Sequence, residues 1–166
     1  MITTGIGFDV HGFAAGRPLI LGGVEVREGG GLMGHSDADV LTHAVIDALL
    51  GSISDGDIGT HFPDTDAEYK DIASTDLLKR VIKRLRERGA KVVHTDATVI
   101  AQAPRLAPFV DAMRESLAAA MDVPVGRVSV KAKTTERLGP IGREEGIAAL
   151  AVATVERVDR EGNEAE

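Results

Sequence analysis

Apolar positions along the chain switch between the alternation of strands and the three-to-four spacing of helices. Residues 2–11 read as a strand with Gly5 and Gly7 inside it. Residues 19–21 and 24–26 predict a short hairpin interrupted by Gly22 and Gly23, and 28–31 a loop. Ser36, with Asp39 three residues on, predicts a helix N-cap. Val40, Leu41, Ala44, Val45, Ala48 and Leu49 give the helix behind it a buried side that stops at Gly51. Residues 52–70 form a long polar segment, of the kind that is often functional in a compact domain. Leu77, Leu78, Val81, Ile82 and Leu85 mark a helix over 75–88, ended by Gly89. A strand over 91–100, a helix starting near Pro108, a strand over 128–132, a loop over 134–145 and a final strand over 147–158 complete the pattern. The order is roughly β-β-α-α-β-α-β-β. It predicts an α/β sandwich, a mixed sheet covered by helices, as one domain over 1–158 with a frayed polar tail at 159–166.

Composition narrows the chemistry. The chain has 166 residues and a net charge of −7, which disfavours a general nucleic-acid binder. Four Phe, one Tyr and no Trp make a base-stacking platform a poor fit. No stretch is long and apolar enough for a membrane span, and the N-terminus carries no basic region followed by an apolar run. The expectation is a cytoplasmic protein with no nucleic-acid or membrane partner. There is no cysteine, so any metal must be held by His and carboxylate.

Asp9 and His11 are two apart on the first strand and therefore project to one face. His35 or His43 could add a third ligand, the number that a catalytic zinc site commonly takes from the protein. Read singly, an Asp-x-His pair is weak and a helical His is more often packed than ligating. His35 and Ser36, at the start of a helix, could meet a phosphate, or Ser36 could be only a cap. Asp57, Ile58, Gly59, Phe62, Pro63, Asp64, Thr65 and Asp66 could wrap a polyol or form a solvated acidic loop. Ala101, Gln102, Ala103, Pro104, Arg105 and Leu106 join a strand to a helix, where backbone groups could read a base. Lys133, Thr134, Thr135 and Glu136 could serve a diphosphate with a divalent ion, or guard a sheet edge.

In order, these segments resemble one family. Gly7-Phe8-Asp9-Val10-His11 is followed by His35-Ser36-Asp37-Ala38-Asp39-Val40, by His43-Ala44 and by Asp47-Ala48-Leu49-Leu50-Gly51. Gly56-Asp57-Ile58-Gly59, Phe62-Pro63-Asp64-Thr65-Asp66 and Ala101-Gln102-Ala103-Pro104 come next. Lys131-Ala132, Thr134-Thr135-Glu136, Gly139, Gly142-Arg143 and Glu145-Gly146 extend the match to roughly residues 5 to 156. The set is similar to the 2-C-methyl-D-erythritol 2,4-cyclodiphosphate synthase family of non-mevalonate isoprenoid biosynthesis.

The resemblance implies a homotrimer with active sites between subunits. It implies zinc (Zn2+) on Asp9, His11 and His43, and a second ion, Mg2+ or Mn2+, at the diphosphate near Glu136. The implied substrate is 4-diphosphocytidyl-2-C-methyl-D-erythritol 2-phosphate. Its 2-phosphate attacks its own β-phosphorus, giving a cyclic diphosphate and CMP. His35 and Thr134 match positions that stabilise the transition state. Ser36, Asp57, Ile58, Gly59, Phe62, Pro63, Asp64, Thr65 and Asp66 match the methylerythritol phosphate side. Residues 101–107, Ala107 included, match the cytidine side together with Lys133, and Thr135 is a further substrate-binding position. Phe8 and Arg143 match the lining of a central cavity that can hold an isoprenoid diphosphate. Pro140 stands where an aromatic is frequent, Arg105 where Lys is frequent and Lys133 where Thr is common. A zinc phosphoester hydrolase and a non-catalytic cytidine-nucleotide-binding trimer are the competing readings. The length leaves no room for a fused cytidylyltransferase, so a monofunctional chain is expected.

Overall fold

A computed structural model describes residues 1–27 and 29–157. The expected tail at 159–166, and Val158 of the final strand, lie outside the described residues. Its elements are β1 (Ile2–Ala14), β2 (Leu19–Leu21), β3 (Val24–Arg27), β4 (Gly31–Leu32), α1 (Val40–Ser52) and α2 (Ile58–His61). They continue with α3 (Ser74–Glu87), β5 (Ala90–Ile100), α4 (Val110–Met121), β6 (Val128–Lys133), α5 (Gly139–Gly142) and β7 (Gly146–Arg157).

Five strands form a mixed sheet in the order β4-β1-β7-β5-β6, and β2 pairs with β3 as a separate hairpin. Only β5 and β6 run parallel; β7 is antiparallel to both of its neighbours. Its residues Ala149, Ala151 and Ala153 are buried on one face, and small side chains there let α1 approach the sheet closely. Among the described residues, no helix is long and apolar enough to cross a membrane.

Helix α1 is the centre of the molecule. Of its residues, all but Asp47 and Gly51 are buried. A helix that is apolar nearly all round has to lie inside, and this one packs on β1 and β7 with α3 beside it. Its closeness to β1 is set by Gly5 and Gly7. A Cβ at Gly5 would stand 2.1 Å from the Ala48 carbonyl oxygen, and one at Gly7 2.0 Å from that of Ala44. Two glycines on the inward side of β1 thus let helix backbone rest on strand backbone.

Ser36 does not cap α1. The helix begins four residues later, and Asp39 accepts from the Thr42 N–H. Asp39 is fully buried, and its carboxylate also accepts from the Gly22 N–H (2.8 Å), the Gly23 N–H (2.7 Å) and the Thr42 hydroxyl (2.6 Å). It outcompetes Ser36 because one carboxylate satisfies four donors at once. The expected loops are also more structured than their sequence suggests. Residues 52–70 contain α2 and a 3-10 turn at Ala67–Tyr69, 134–145 contain α5, and Gly31 pairs with Ala14 in β4.

On the sheet face turned away from α1, β1 and β7 carry an apolar patch that no other described element covers. Ile6, Phe8 and Val10 of β1 are 68%, 57% and 51% exposed, and Leu150 and Val152 of β7 are 38% each. Phe8 pairs with Leu150 and Ile6 with Val152, so the exposed residues form one continuous patch.

Candidate metal centre and substrate pocket

Asp9 and His11 project from β1 toward α1, and His43 comes down from the first half of that helix. One ligand atom from each lies within 4.8 Å of the other two. The Asp9 Oδ2 oxygen is 2.8 Å from His11 Nε2 and 3.0 Å from His43 Nδ1, and the two nitrogens are 3.2 Å apart. Of the two candidates that spacing left open, His43 is the one this geometry brings to the cluster, the same residue the resemblance implies.

Three donor atoms this close, two imidazole nitrogens and a carboxylate oxygen, fit a tetrahedral zinc site with one position left open. The nitrogens facing away from the cluster are occupied. His11 donates through Nδ1 to the Met33 carbonyl (2.5 Å), which leaves Nε2 as the lone-pair nitrogen. On the other side His43 Nε2 lies 2.9 Å from the Ser74 hydroxyl and 3.1 Å from that of Ser36. Burial alone would raise the Asp9 carboxyl, but when the ring nitrogens that face it carry protons, hydrogen bonds from His11 and His43 outweigh burial and hold the group well below the usual carboxylate range; a bound metal ion would take the place of those protons. Burial works against a charged His11, yet the hydrogen bond and charge of Asp9 raise its pKa.

The cluster forms the floor of an open pocket of about 480 Å³. His35, Ser36, Ile58, Gly59, Phe62, Pro63 and Asp64 line it. So do Met33, Gly34, Tyr69 and Leu77, which sequence reasoning missed. Tyr69 could have been suspected as the one tyrosine, inside the long polar segment; the other three carry no signal. Phe62 meets Tyr69 edge-on, with ring centroids 5.4 Å apart.

Asp57, Thr65 and Asp66 do not line the pocket; Asp57 and Asp66 shape it. Asp57 caps α2, accepting from the Thr60 N–H and hydroxyl at 2.8 Å each. Asp66 caps the following 3-10 turn, and its carbonyl accepts from His35 Nε2 (3.0 Å). Asp47, one turn beyond His43, accepts from the Ile58 N–H (2.8 Å) and so ties α2 to α1. Burial raises its carboxyl despite that bond.

The remaining expected residues gather elsewhere. Ala101, Gln102, Pro104, Arg105, Leu106, Ala107, Lys133 and Thr134 line a second hollow of about 260 Å³ at the ends of β5 and β6. Ala101 and Leu106 are buried in the core, so only their backbone can serve a ligand. Ala103 joins Pro104 through a cis peptide. The Gln102 side chain accepts from the Arg137 N–H (3.0 Å), fixing the turn that follows Thr134. The Thr134 hydroxyl donates to Glu136 Oε1 (3.0 Å), and the Thr135 hydroxyl is buried without a partner. Pro140 lies in α5, and Arg143 donates to Glu145 (2.7 Å).

Strand register relates the two hollows. Val10 pairs with Ala148, Ala148 with Ile100, and Ile100 with Lys133. Both hollows therefore open at one end of the sheet, on strands β1 and β6 that lie three strand spacings apart, or about 14 Å. The chain does not bring His35 and Thr134 into one pocket.

Comparison with known proteins meets this arrangement directly. The chain is 53% identical over 158 residues to the 2-C-methyl-D-erythritol 2,4-cyclodiphosphate synthase of Desulfitobacterium hafniense, covering 95% of this chain and all of that one. It is 57% identical over 152 residues to the synthase of the same name from Laribacter hongkongensis, covering 92% and 94%. Among solved structures, the bifunctional IspDF of Campylobacter jejuni superposes with a TM-score of 0.92 at 45% identity, over 96% of this chain and 43% of that one. A CDP-bound IspF from Plasmodium falciparum superposes at 0.83 and 27% identity, over 95% and 97%. The YgbB family model matches residues 2–156, so the metal-site strand, the central helix and both hollows fall within the match, and the chain belongs to the YgbB family.

Proposed function

We propose that this chain catalyses the 2-C-methyl-D-erythritol 2,4-cyclodiphosphate synthase reaction in the cytoplasm, as a metal-dependent, CMP-releasing lyase. The observation that carries the reading is the convergence of Asp9, His11 and His43 on the floor of a pocket walled by His35, Ser36 and residues 58–64. Relatives named for this activity share more than half of its residues over nearly their whole length.

The substrate is 4-diphosphocytidyl-2-C-methyl-D-erythritol 2-phosphate. An oxygen of its 2-phosphate attacks the β-phosphorus while the bond from that phosphorus to the oxygen of CMP breaks, closing the ring without water. The protein's task is to fold the substrate back on itself and to stabilise crowded charge. Asp9, His11 and His43 would hold zinc, and Glu136 would meet Mg2+ or Mn2+ carried on the diphosphate. When bound, these ions supply Lewis-acid neutralisation of the phosphoryl oxygens. Ser36, Gly59, Phe62 and Asp64 hold the methylerythritol phosphate end. Asp57, Asp66 and Asp47 keep that wall in place through the backbone bonds described above. Arg105, Lys133 and the backbone of 101–107 hold the cytidine end, with Thr135, Pro140 and Arg143 beside it. His35 and Thr134 stabilise charge on the reacting phosphates.

In this reading the complete site lies between subunits of a homotrimer. Two features support it: the hollows lie on strands about 14 Å apart within one chain, and the exposed apolar face of β1 and β7 calls for a cover. Phe8 and Arg143 would then line a central cavity able to take an isoprenoid diphosphate.

Phosphorus NMR tests the reaction. With substrate, Zn2+ and Mg2+, the protein should yield cyclic diphosphate and CMP, and His43→Ala should yield neither. A linear phosphate product would identify a hydrolase, and CMP binding without turnover a binding module.

A further inference from the structure

His43 reaches the metal cluster with one nitrogen, and what fixes its other nitrogen lies outside the cluster. His43 Nε2 is 2.9 Å from the Ser74 hydroxyl oxygen. Ser74 is fully buried at the first turn of α3, and its hydroxyl makes a short hydrogen bond to Asp37 Oδ1. The other Asp37 oxygen accepts from the Ser74 N–H (3.0 Å). That bond supplies the cap that Ala73, the residue ahead of α3, cannot make with its side chain.

The donor and acceptor inventory orders this chain of contacts. A carboxylate only accepts, so the Ser74 hydroxyl proton points at Asp37. The Ser74 oxygen then has only lone pairs to offer His43, so the ring must donate from Nε2. Nδ1 is left as the acceptor nitrogen, and it is Nδ1 that lies 3.0 Å from Asp9 and 3.2 Å from His11. Ser36 is the alternative partner, at 3.1 Å from His43 Nε2, but its oxygen already accepts from the Ala38 N–H (3.2 Å) and no carboxylate fixes its proton.

We propose that Ser74 and Asp37 are positioning residues for the metal centre: Asp37 orients the Ser74 hydroxyl, which holds His43 in the Nε2–H tautomer with Nδ1 aimed at Asp9 and His11. The inference rests on the proposed zinc reading and extends it to a residue of α3 and one of the 33–39 segment. Removing such an outer partner of a ligating His typically weakens metal binding about 10–100-fold.

The test uses the full chain and zinc alone, with affinity measured by chelator competition and the His43 tautomer by nitrogen-15 NMR of the zinc-loaded protein. Wild type should show a slowly exchanging proton on His43 Nε2. Ser74→Ala should bind zinc about 10–100-fold more weakly and lose that slow exchange, with its circular dichroism unchanged. Ser74→Thr, which keeps the hydroxyl, should restore both. Adding Asp37→Asn to Ser74→Ala should cost little further affinity, because the two act in one relay. A proton on Nδ1, unchanged affinity in Ser74→Ala, equal weakness in Ser74→Thr, or fully additive losses would each overturn the relay while leaving zinc binding intact. A wild type that binds no zinc would instead sink the metal reading and the relay with it.

Discussion

At Gly7 the space for a side chain is already taken. A Cβ there would meet the Ala44 carbonyl oxygen at 2.0 Å and the Ala48 nitrogen at 2.6 Å, both helix backbone. Neither can swing aside as a side-chain tip would, so Gly7→Ala must push α1 off β1. His43 rides on that helix next to Ala44, so the same push widens its separation from Asp9 and His11. The expected result is a loss of about 1–3 kcal/mol in urea unfolding, the usual cost of overpacking, together with weaker zinc binding in chelator competition. Ala44→Gly is a useful contrast, because it disturbs α1 without displacing it and should cost stability alone. Much of this local chemistry was legible beforehand. Strand alternation puts Asp9 and His11 on one face from sequence alone. Spacing alone left His35 and His43 open, because both fit the ligand count; the family resemblance pointed to His43, and the helix's approach to β1 gives the physical reason. Met33 was illegible for a different reason: its contribution is a backbone carbonyl, which any side chain could carry.

Between elements, two carboxylates do most of the joining. Asp39 starts α1 and also collects the Gly22 and Gly23 N–H groups from the β2–β3 turn. Burial, and then the neighbouring Asp37, push its carboxyl upward. Asp39→Ala would leave several buried donors without a partner and should cost about 3 kcal/mol in chemical denaturation. Asp39→Asn, which keeps one acceptor, should cost less. Asp55 anchors the segment leading into α2 to α3. Its side chain is 9% exposed and meets Arg84 and, at 2.6 Å, Arg88, while the Asp55 carbonyl accepts from His61 Nε2 (2.7 Å). The hydrogen bond from Arg84, ahead of the opposing effect of burial, holds the Asp55 carboxyl below its ordinary value. A depressed carboxyl pKa means that the stabilisation is complete above the unfolded value of about 4. It is lost as pH falls through the lower folded value. Both guanidiniums are part-exposed, so Asp55→Asn should cost only about 1 kcal/mol at neutral pH. In thermal melts against pH, the gap between wild type and Asp55→Asn should close as pH drops below about 4. A gap that persists at low pH would mean that the carboxylate charge is not what anchors the segment. The main helices and strands were legible at this scale because each is long enough to show its period. The two-residue β4 and the four-residue α2 and α5 were not, since a single turn or bridge leaves no periodicity to read.

For the whole molecule the informative feature is a surface that folding leaves unfinished. β1 spends its inward positions on glycines and on Asp9 and His11 of the candidate metal cluster, and its outward positions on Ile6, Phe8 and Val10. An isolated domain gains nothing from aiming its large apolar side chains at water. The arrangement makes sense when the inward face must admit α1 closely and the outward face is closed by other copies of the chain. In the proposed trimer, the separation of about 14 Å between β1 and β6 would be bridged by a neighbour, whose β5–β6 end would supply the proposed cytidine side to this chain's Asp9–His11–His43 pocket. Assembly and catalysis should therefore fail together while metal binding survives. Ile6→Lys tests this directly: residue 6 is 68% exposed in the single chain and has no place in the proposed cavity lining, so a lysine there is tolerated by the fold and opposed only by a partner. Light scattering should report a trimer for wild type and a monomer for Ile6→Lys. The monomer should keep wild-type zinc affinity, because Asp9, His11 and His43 all come from one chain. It should turn over no substrate, because Thr134 and Lys133 of the same chain stand too far away. An Ile6→Lys monomer with full activity would place the complete site within a single chain and remove the reason for the trimer.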